Sequence, residues 1–386
     1  MKNLPDISIA LKNVRENFNS YFNWNSLPQN KSEKYKLHEI NALILLSIKI
    51  PTHLCLALSN SISGIEVLIN NPVYTELKVK KKSGEFRQIY APNYELKRVQ
   101  KRLNYFLQGY YLCIKPNEVN GFVINPFPFD AKCNIAENAK YHVNKKHVLN
   151  IDIKNFFPSI SAYRVKKIFT SELFNFNEQV ATALTLLCTY KGVLPIGAPT
   201  SPVISNFICF QLDRDLKNFC NEKNISYSRY ADDLTFSSNE KITDEIISEI
   251  TLLINKYGFE LNKNKFRLRL SNRKQVVTGL VVNEKVNIDR KLLKKIRAML
   301  HDMSRNGIEV AAKRHFKSEN PPIKTNSLTN KNTAIFESEQ SDNEINIAFA
   351  CRFKKIVIGY INFVGQIRGT DDRLYNSFKA AYKNSW

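Results

Sequence analysis

Nothing in this 386-residue sequence comes near the run of about 18 to 20 apolar residues that a membrane-crossing helix needs. Met1–Asp6 also lacks the apolar core of a signal peptide, so the expectation is neither spanning nor secretion. Cysteine is scattered: Cys55, Cys113, Cys133, Cys188, Cys209, Cys220 and Cys351 include no Cys-x-x-Cys pair. Their odd number and irregular spacing speak against a disulfide framework and against zinc, and suit a reducing cytoplasm. No internal repeat is visible. Acidic residues are in deficit, 35 Asp plus Glu against 57 Lys plus Arg, which leaves a net charge of +22. A charge of that size steers a protein toward polyanions, nucleic acid first among them. Apolar residues are not lacking: 43% hydrophobic content is ample for a core, and the length allows two or three compact units.

The stretch that organises the chain is Ser226–Ser238, where two short runs rich in Tyr, Thr, Phe and Leu flank Ala231-Asp232-Asp233. That pattern predicts a β-hairpin. Adjacent carboxylates at a tight turn repel each other, and on its own the pair reads as a solvated Asp-rich turn. His147–Ile153 changes the balance. It reads as a strand with Val148, Leu149, Ile151 and Ile153 apolar, interrupted by Asp152. A lone carboxylate in a buried run is expensive unless it is paired or binds metal. Three carboxylates brought together would suit Mg²⁺, which prefers hard oxygen ligands, in a two-metal site for in-line phosphoryl transfer.

Tyr230-Ala231-Asp232-Asp233 resembles the Tyr-x-Asp-Asp box of reverse transcriptases, and Asp152 with Phe156-Phe157-Pro158 resembles their first catalytic box. Leu194-Pro195-Ile196-Gly197-Ala198-Pro199-Thr200-Ser201-Pro202 matches the family's Leu-Pro-x-Gly-Ala-Pro-x-Ser-Pro box, with Ile196 where most relatives carry Gln. Ile cannot supply that side-chain hydrogen bond. Asn138-Ala139-Lys140-Tyr141-His142 and Val277-Thr278-Gly279 resemble two elements of the bacterial retron type. For His142 a structural role and a nucleic-acid contact both stay open.

The resemblance implies an α/β right-hand polymerase with fingers, a palm carrying an antiparallel sheet, a helical thumb and a helical N-terminal extension. The expected divisions are an extension over 1–72, fingers over 73–145 and palm over 146–288, with a fingers-type insertion around 161–200. The thumb follows over 289–386. In this scheme Asp152, Asp232 and Asp233 hold two Mg²⁺ ions, with Mn²⁺ as an alternative, and Lys265 meets the leaving pyrophosphate. Lys80 and Arg87 grip the triphosphate from a hairpin over Val73–Pro92, Arg being suited by its forked, permanent charge. Phe157 is the steric gate against a ribonucleotide 2′-OH, and Ile196 and Gly197 line the nucleotide site. Val277, Thr278 and Gly279 fall at the primer grip.

The remaining expectations are local. Residues 1–70 read as helical, with Leu37–Ile48 at helical spacing and Thr52 as the cap of a further helix. Helices are expected from about Glu95 to Tyr111, from Ser161 to Leu173 and from Asn177 to Tyr190. Ser201-Pro202 should supply the cap and first residue of the next helix, and Asp244–Tyr257 another. Phe259–Leu270 alternates, with Phe266, Leu268 and Leu270 on one face and Lys265, Arg267 and Arg269 on the other. Asp289 should cap a basic amphipathic helix whose Arg290, Lys291, Lys294 and Arg297 face a nucleic-acid backbone. Phe316–Ile345 reads as a polar insertion, and helix resumes over Phe349–Arg368. The implied partners are dNTPs, a cognate structured noncoding RNA, the RNA–DNA hybrid product and an effector protein, in a system of anti-phage defence. Two other readings stay open: a different lineage such as a group II intron enzyme, which would normally continue past the thumb, and an RNA–DNA scaffold that binds an effector.

Overall fold

Around Asp152 the strands are buried on both faces, and the first unit sets helices about a four-stranded antiparallel sheet. The structure, a computed structural model, describes residues 37–80, 84–124, 133–315 and 342–385. The chain divides into two compact units, Met1–Thr278 and Gly279–Trp386.

In the first unit three short helices, Leu37–Leu46, Pro51–Leu58 and Ile62–Asn70, precede a hairpin. Pro51 opens the second helix, and Ile50 rather than Thr52 is its cap residue. The prolyl ring already fixes the first turn there, which places Thr52 inside the helix. Strands β1 (Tyr74–Lys80) and β2 (Phe86–Pro92) form the hairpin, and the long helix Tyr94–Ile114 follows, capped by Asn93. Leu45, Leu103 and Leu107 are fully buried in one core that the early helices share with this long one. Among the described residues no single helix is long and apolar enough to cross a membrane.

The sheet at the centre contains β3 (His147–Asp152), β4 (Ser226–Tyr230), β5 (Asp233–Ser238) and β6 (Arg267–Leu270), in the order β4-β5-β3-β6 and antiparallel throughout. Its register sorts side chains by chemistry. Leu149 faces Phe236 and Ile151 faces Leu234, and all four are buried in the core. The other face carries Asp152 opposite Asp233 and Asn150 opposite Thr235. The helices Ala162–Thr170 and Glu178–Cys188 are capped by Ser161 and Asn177, as the sequence predicts. Thr200, not Ser201, sits at the cap position of Ser201–Glu222, because the Ser201 hydroxyl turns back to donate to the Pro195 carbonyl at 2.7 Å. The predicted strand over Phe259–Leu270 is shorter than expected. Lys263–Lys265 is a 3₁₀ turn, and only Arg267–Leu270 pairs. Leu268 and Leu270 are 44% and 45% exposed, since β6 is an edge strand whose apolar side extends past the packed core.

The second unit packs Arg290–Asn306, Ile308–His315, Asp342–Arg368 and Arg373–Lys383 around Ile296, Met299, Phe353, Val357 and Ile361. Asp289 caps its first helix by accepting from Lys291 N at 2.9 Å. Arg290, Lys291 and Lys294 lie on the exposed side. Arg297 is exposed as well, with its guanidinium 5.8 Å from the Phe378 ring centroid. The next long helix begins at Asp342, not Phe349. The rest of the expected polar insertion, residues 316–341, lies outside the described residues, as do 1–36, 81–83, 125–132 and 386.

Candidate active site

The Tyr230–Asp233 turn is tight because Ala231 takes a left-handed backbone, φ 61°, which lets β4 reverse into β5 within two residues. Asp232 sits in the turn and its carbonyl accepts from Ile153 N at 3.1 Å, which fastens the turn to the end of β3. Asp152 N-terminal to that contact lies directly opposite Asp233 in the ladder. Its own carbonyl accepts from Asn262 N at 2.8 Å, which anchors the segment carrying Lys265. Lys265 Nζ then reaches Asp152 Oδ1 at 2.8 Å. Residues far apart in sequence thus meet at the open end of one sheet.

Electrostatics at this end is strained by like charges. Burial first, then the charges of Asp232 and Asp152, push Asp233 up to about 6, although the residue keeps an exposed edge. Asp232 is also raised, by burial and then by Asp152, with Lys265 and Arg87 pulling the other way. Among the described residues no three His, Cys, Asp or Glu side chains stand in metal-holding geometry, and the cation at Asp152 is Lys265. The donor chemistry nonetheless fits a hard divalent cation: three carboxylates at one end of a sheet, two of them with raised proton affinity.

The hairpin places its two expected cations differently. Val79 pairs with Arg87 and Lys80 with Phe86, so Arg87 and Lys80 emerge on opposite faces. Arg87 shares its face with Leu77 and Ile89, and its charge is felt at Asp232. Lys80 shares the face of Glu76 and Tyr90, where Lys191 Nζ bonds Glu76 at 2.6 Å and lies 5.6 Å over the Tyr90 ring. The two cations therefore leave opposite faces of the hairpin. Ile196 presents its carbonyl to Tyr90 N at 2.7 Å, joining its loop to β2. Gly197, at φ 116°, lies so close that a Cβ would stand 2.8 Å from the Tyr90 carbonyl oxygen.

Phe157 is half-buried, tilted against Phe122 at 5.6 Å and Phe156 at 5.4 Å, while Phe156 is in the core. Val277 is fully buried, so its side chain serves packing, and Thr278 donates to the Ile135 carbonyl at 3.0 Å. Gly279 has open space around it.

His142 is wholly buried on the Asp152 face of the sheet, between Ser237 Oγ at 2.7 Å and Ser228 Oγ at 2.8 Å. Of its two open roles the structural one is what this geometry serves. Burial, then the charge of Lys145, holds the imidazole down to about 3. The unfolded chain takes up a proton near pH 6.5 that the folded chain refuses, so this residue removes stability as pH falls from 6.5 toward 3 and contributes no slope above that window. In urea melts the native protein should lose about 2 kcal/mol more than His142→Gln between pH 7 and pH 5. Equal losses would assign the acid sensitivity elsewhere.

The sequence reading missed Arg229, Asp213 and Asn206, which lie fully buried beneath the turn. The signal was an Arg at an inward position of a strand.

The family model described as Reverse transcriptase (RNA-dependent DNA polymerase) matches residues 79–315. The Retron Ec86 reverse transcriptase of Escherichia coli is 36% identical over 239 residues, covering 59% of this chain and 68% of that one. The Retron Mx65 reverse transcriptase of Myxococcus xanthus is 32% identical over 252 residues, covering 60% of this chain but only 56% of its own length. Among solved structures, telomerase from Candida albicans aligns at 10% identity with a TM-score of 0.42, over 82% of this chain and 64% of that one.

Proposed function

Since the chain belongs to the reverse transcriptase family, and within it to the retron type, we propose that it copies a cognate structured noncoding RNA into DNA. Synthesis would start from a 2′-hydroxyl of that RNA, and the branched RNA–DNA hybrid would stay bound. The right-hand polymerase fold and RNA-directed DNA polymerisation are common to the family. The proposal extends to a place in anti-phage defence and an effector partner. The observation that carries it is the register pairing Asp152 with Asp233 beside Asp232, with the retron-type residues Asn138–His142 packed on the same sheet.

Asp152 and Asp232 would hold two Mg²⁺ ions and Asp233 would support them. Bound there, the ions would neutralise the carboxylates, activate the attacking hydroxyl and steady the triphosphate. The protein's own part is positioning and charge placement, as phosphoryl transfer requires. Arg87 presents a forked cation from the hairpin face that looks toward Asp232. Lys265, released from Asp152, can move toward the leaving pyrophosphate and supply a proton or a charge. Phe157 would press on the sugar where a 2′-hydroxyl would sit, against the Phe122 ring behind it.

The test is DNA synthesis by the purified protein on RNA encoded beside its gene, with labelled dNTPs and no added primer. The expected product is single-stranded DNA that a debranching enzyme releases from RNA. Incorporation only from a supplied 3′-hydroxyl would remove the retron priming, and none on any RNA template would remove the polymerase. In the same assay Phe157→Ala should raise ribonucleotide over deoxynucleotide use by about tenfold or more. An unchanged ratio in a folded variant would return Phe157 to the core.

A further inference from the structure

Ala231 is the one residue between the end of β4 and the catalytic pair, and in its left-handed conformation the sheet offers its carbonyl no partner. The donor comes from Arg229, whose Nη1 reaches Ala231 O at 3.1 Å. That guanidinium has no freedom of its own. Its Nε bonds Asp213 Oδ1 at 2.7 Å and its Nη2 bonds Asp213 Oδ2 at 2.6 Å, a bidentate fork with both residues fully buried. Nη1 also bonds Asn206 Oδ1 at 3.0 Å, and the Tyr227 hydroxyl adds a third bond to Asp213 at 2.7 Å. Asn206 uses its other end to donate to the Gly121 carbonyl at 3.0 Å, and a Cβ built at Gly121 would run into the Ala231 nitrogen and the Tyr230 backbone.

An ion pair that only stabilised the core would be complete with Asp213 and Arg229. Here the remaining donors are spent on a catalytic turn and on a second residue that holds the loop packed against it. Strand β4, the helix Ser201–Glu222 and the loop at Gly121 thus converge on Ala231, while Ile153 holds the next carbonyl from the other side. The same helix starts from the loop that contains Ile196 and Gly197. Surrounding structure that over-determines a locally unfavourable backbone is what keeps such a conformation in place.

We propose that Arg229, locked by Asp213 and Asn206, is a positioning residue for polymerisation: through the Ala231 carbonyl it holds Asp232 and Asp233 at the place where they stand with Asp152. The proposal rests on the polymerase reading of this turn. It separates rate from folding, because the network acts on the geometry of two carboxylates and touches neither RNA nor nucleotide.

Arg229→Ala would leave Asp213 charged and buried alone, and its failure to fold would say nothing about position. The informative variant is Arg229→Met/Asp213→Leu/Tyr227→Phe, since apolar replacement of a whole buried ion pair is commonly neutral for folding. Single-turnover extension is measured per active site, with sites counted by burst amplitude. Mn²⁺ binding is followed separately, by loss of the free-ion paramagnetic resonance signal. The expected result is a melting temperature and RNA affinity close to native, a rate per site lowered by about 30-fold or more, and Mn²⁺ binding weakened by about tenfold. Asn206→Ala keeps the ion pair intact and should lower the rate per site by about fivefold. If the triple variant is not folded, Asn206→Ala alone decides. Rates and Mn²⁺ affinities within twofold of native, in whichever variant is folded, would make the network purely structural. A native protein that shows no templated synthesis would instead overturn the polymerase reading and leave the network aside.

Discussion

Asp232→Asn should abolish templated DNA synthesis while leaving the fold untouched. The backbone carbonyl of residue 232 keeps its bond from Ile153 N in the variant, and Asn fills the same volume. Asp232 is a cause of the raised proton affinity of Asp233, so losing its charge relieves repulsion in the cluster. The melting temperature should therefore stay level or rise. The rate should fall by about 10³-fold or more, the equivalent of the several kcal/mol that metal-assisted charge stabilisation supplies. Primer extension on an RNA template, beside a thermal melt, measures both. Extension within tenfold of native would dismiss the turn as the catalytic element.

The second large effect is expected at Gly197. Alanine there would bring a Cβ to 2.8 Å from the Tyr90 carbonyl and 2.9 Å from the Ile89 side chain, at a φ of 116° that L residues rarely adopt. The clash is with backbone, so β2 must shift and the Tyr90–Ile196 bond must lengthen or break. Overpacking of this kind costs about 1–3 kcal/mol, with backbone strain adding about 1–3 kcal/mol more. The functional loss should be larger than the loss of stability suggests, because Arg87 rides on the displaced strand. The KM for dNTP should rise by about tenfold or more while RNA affinity changes little. A variant with lowered melting temperature and native dNTP KM would detach the hairpin from nucleotide binding.

What the sequence made legible was local chemistry in a fixed order. The strand at His147, the hairpin at Ser226–Ser238 and the caps Ser161, Asn177 and Asp289 are all where short-range rules put them. Alternation could also have separated Lys80 from Arg87, had the register across the hairpin been counted. Other features have no short-range signature. The Arg229–Asp213 pair joins a strand to a helix residue 16 positions earlier, and although an Arg inside Ser226–Ser238 hints at a buried partner, nothing there says which residue it is. Lys265 was assigned to pyrophosphate by resemblance, but its hold on Asp152 depends on a contact across 113 residues. The alternating run Phe259–Leu270 misled because alternation reports which faces a strand would have, not whether a neighbour continues far enough to cover them. Ser201 was misplaced because its hydroxyl had a better acceptor at Pro195 than the helix offered.

The central place of β3 in the sheet bears on how the protein is made. Asn150 and its cross-strand partner Thr235 are 85 residues apart, and β6 on the other side comes later still. At the ribosome's pace of about 5–20 residues per second, β3 emerges roughly 4 to 17 s before its first neighbour. During that interval Val148, Leu149 and Ile151 have both strand edges open, in a chain that supplies the helix Ser201–Glu222 only late in it. The segment carrying Asp152 is therefore exposed to edge-to-edge association in the nascent protein, and synonymous codons that slow translation between β3 and β5 should lower soluble yield without changing a single residue.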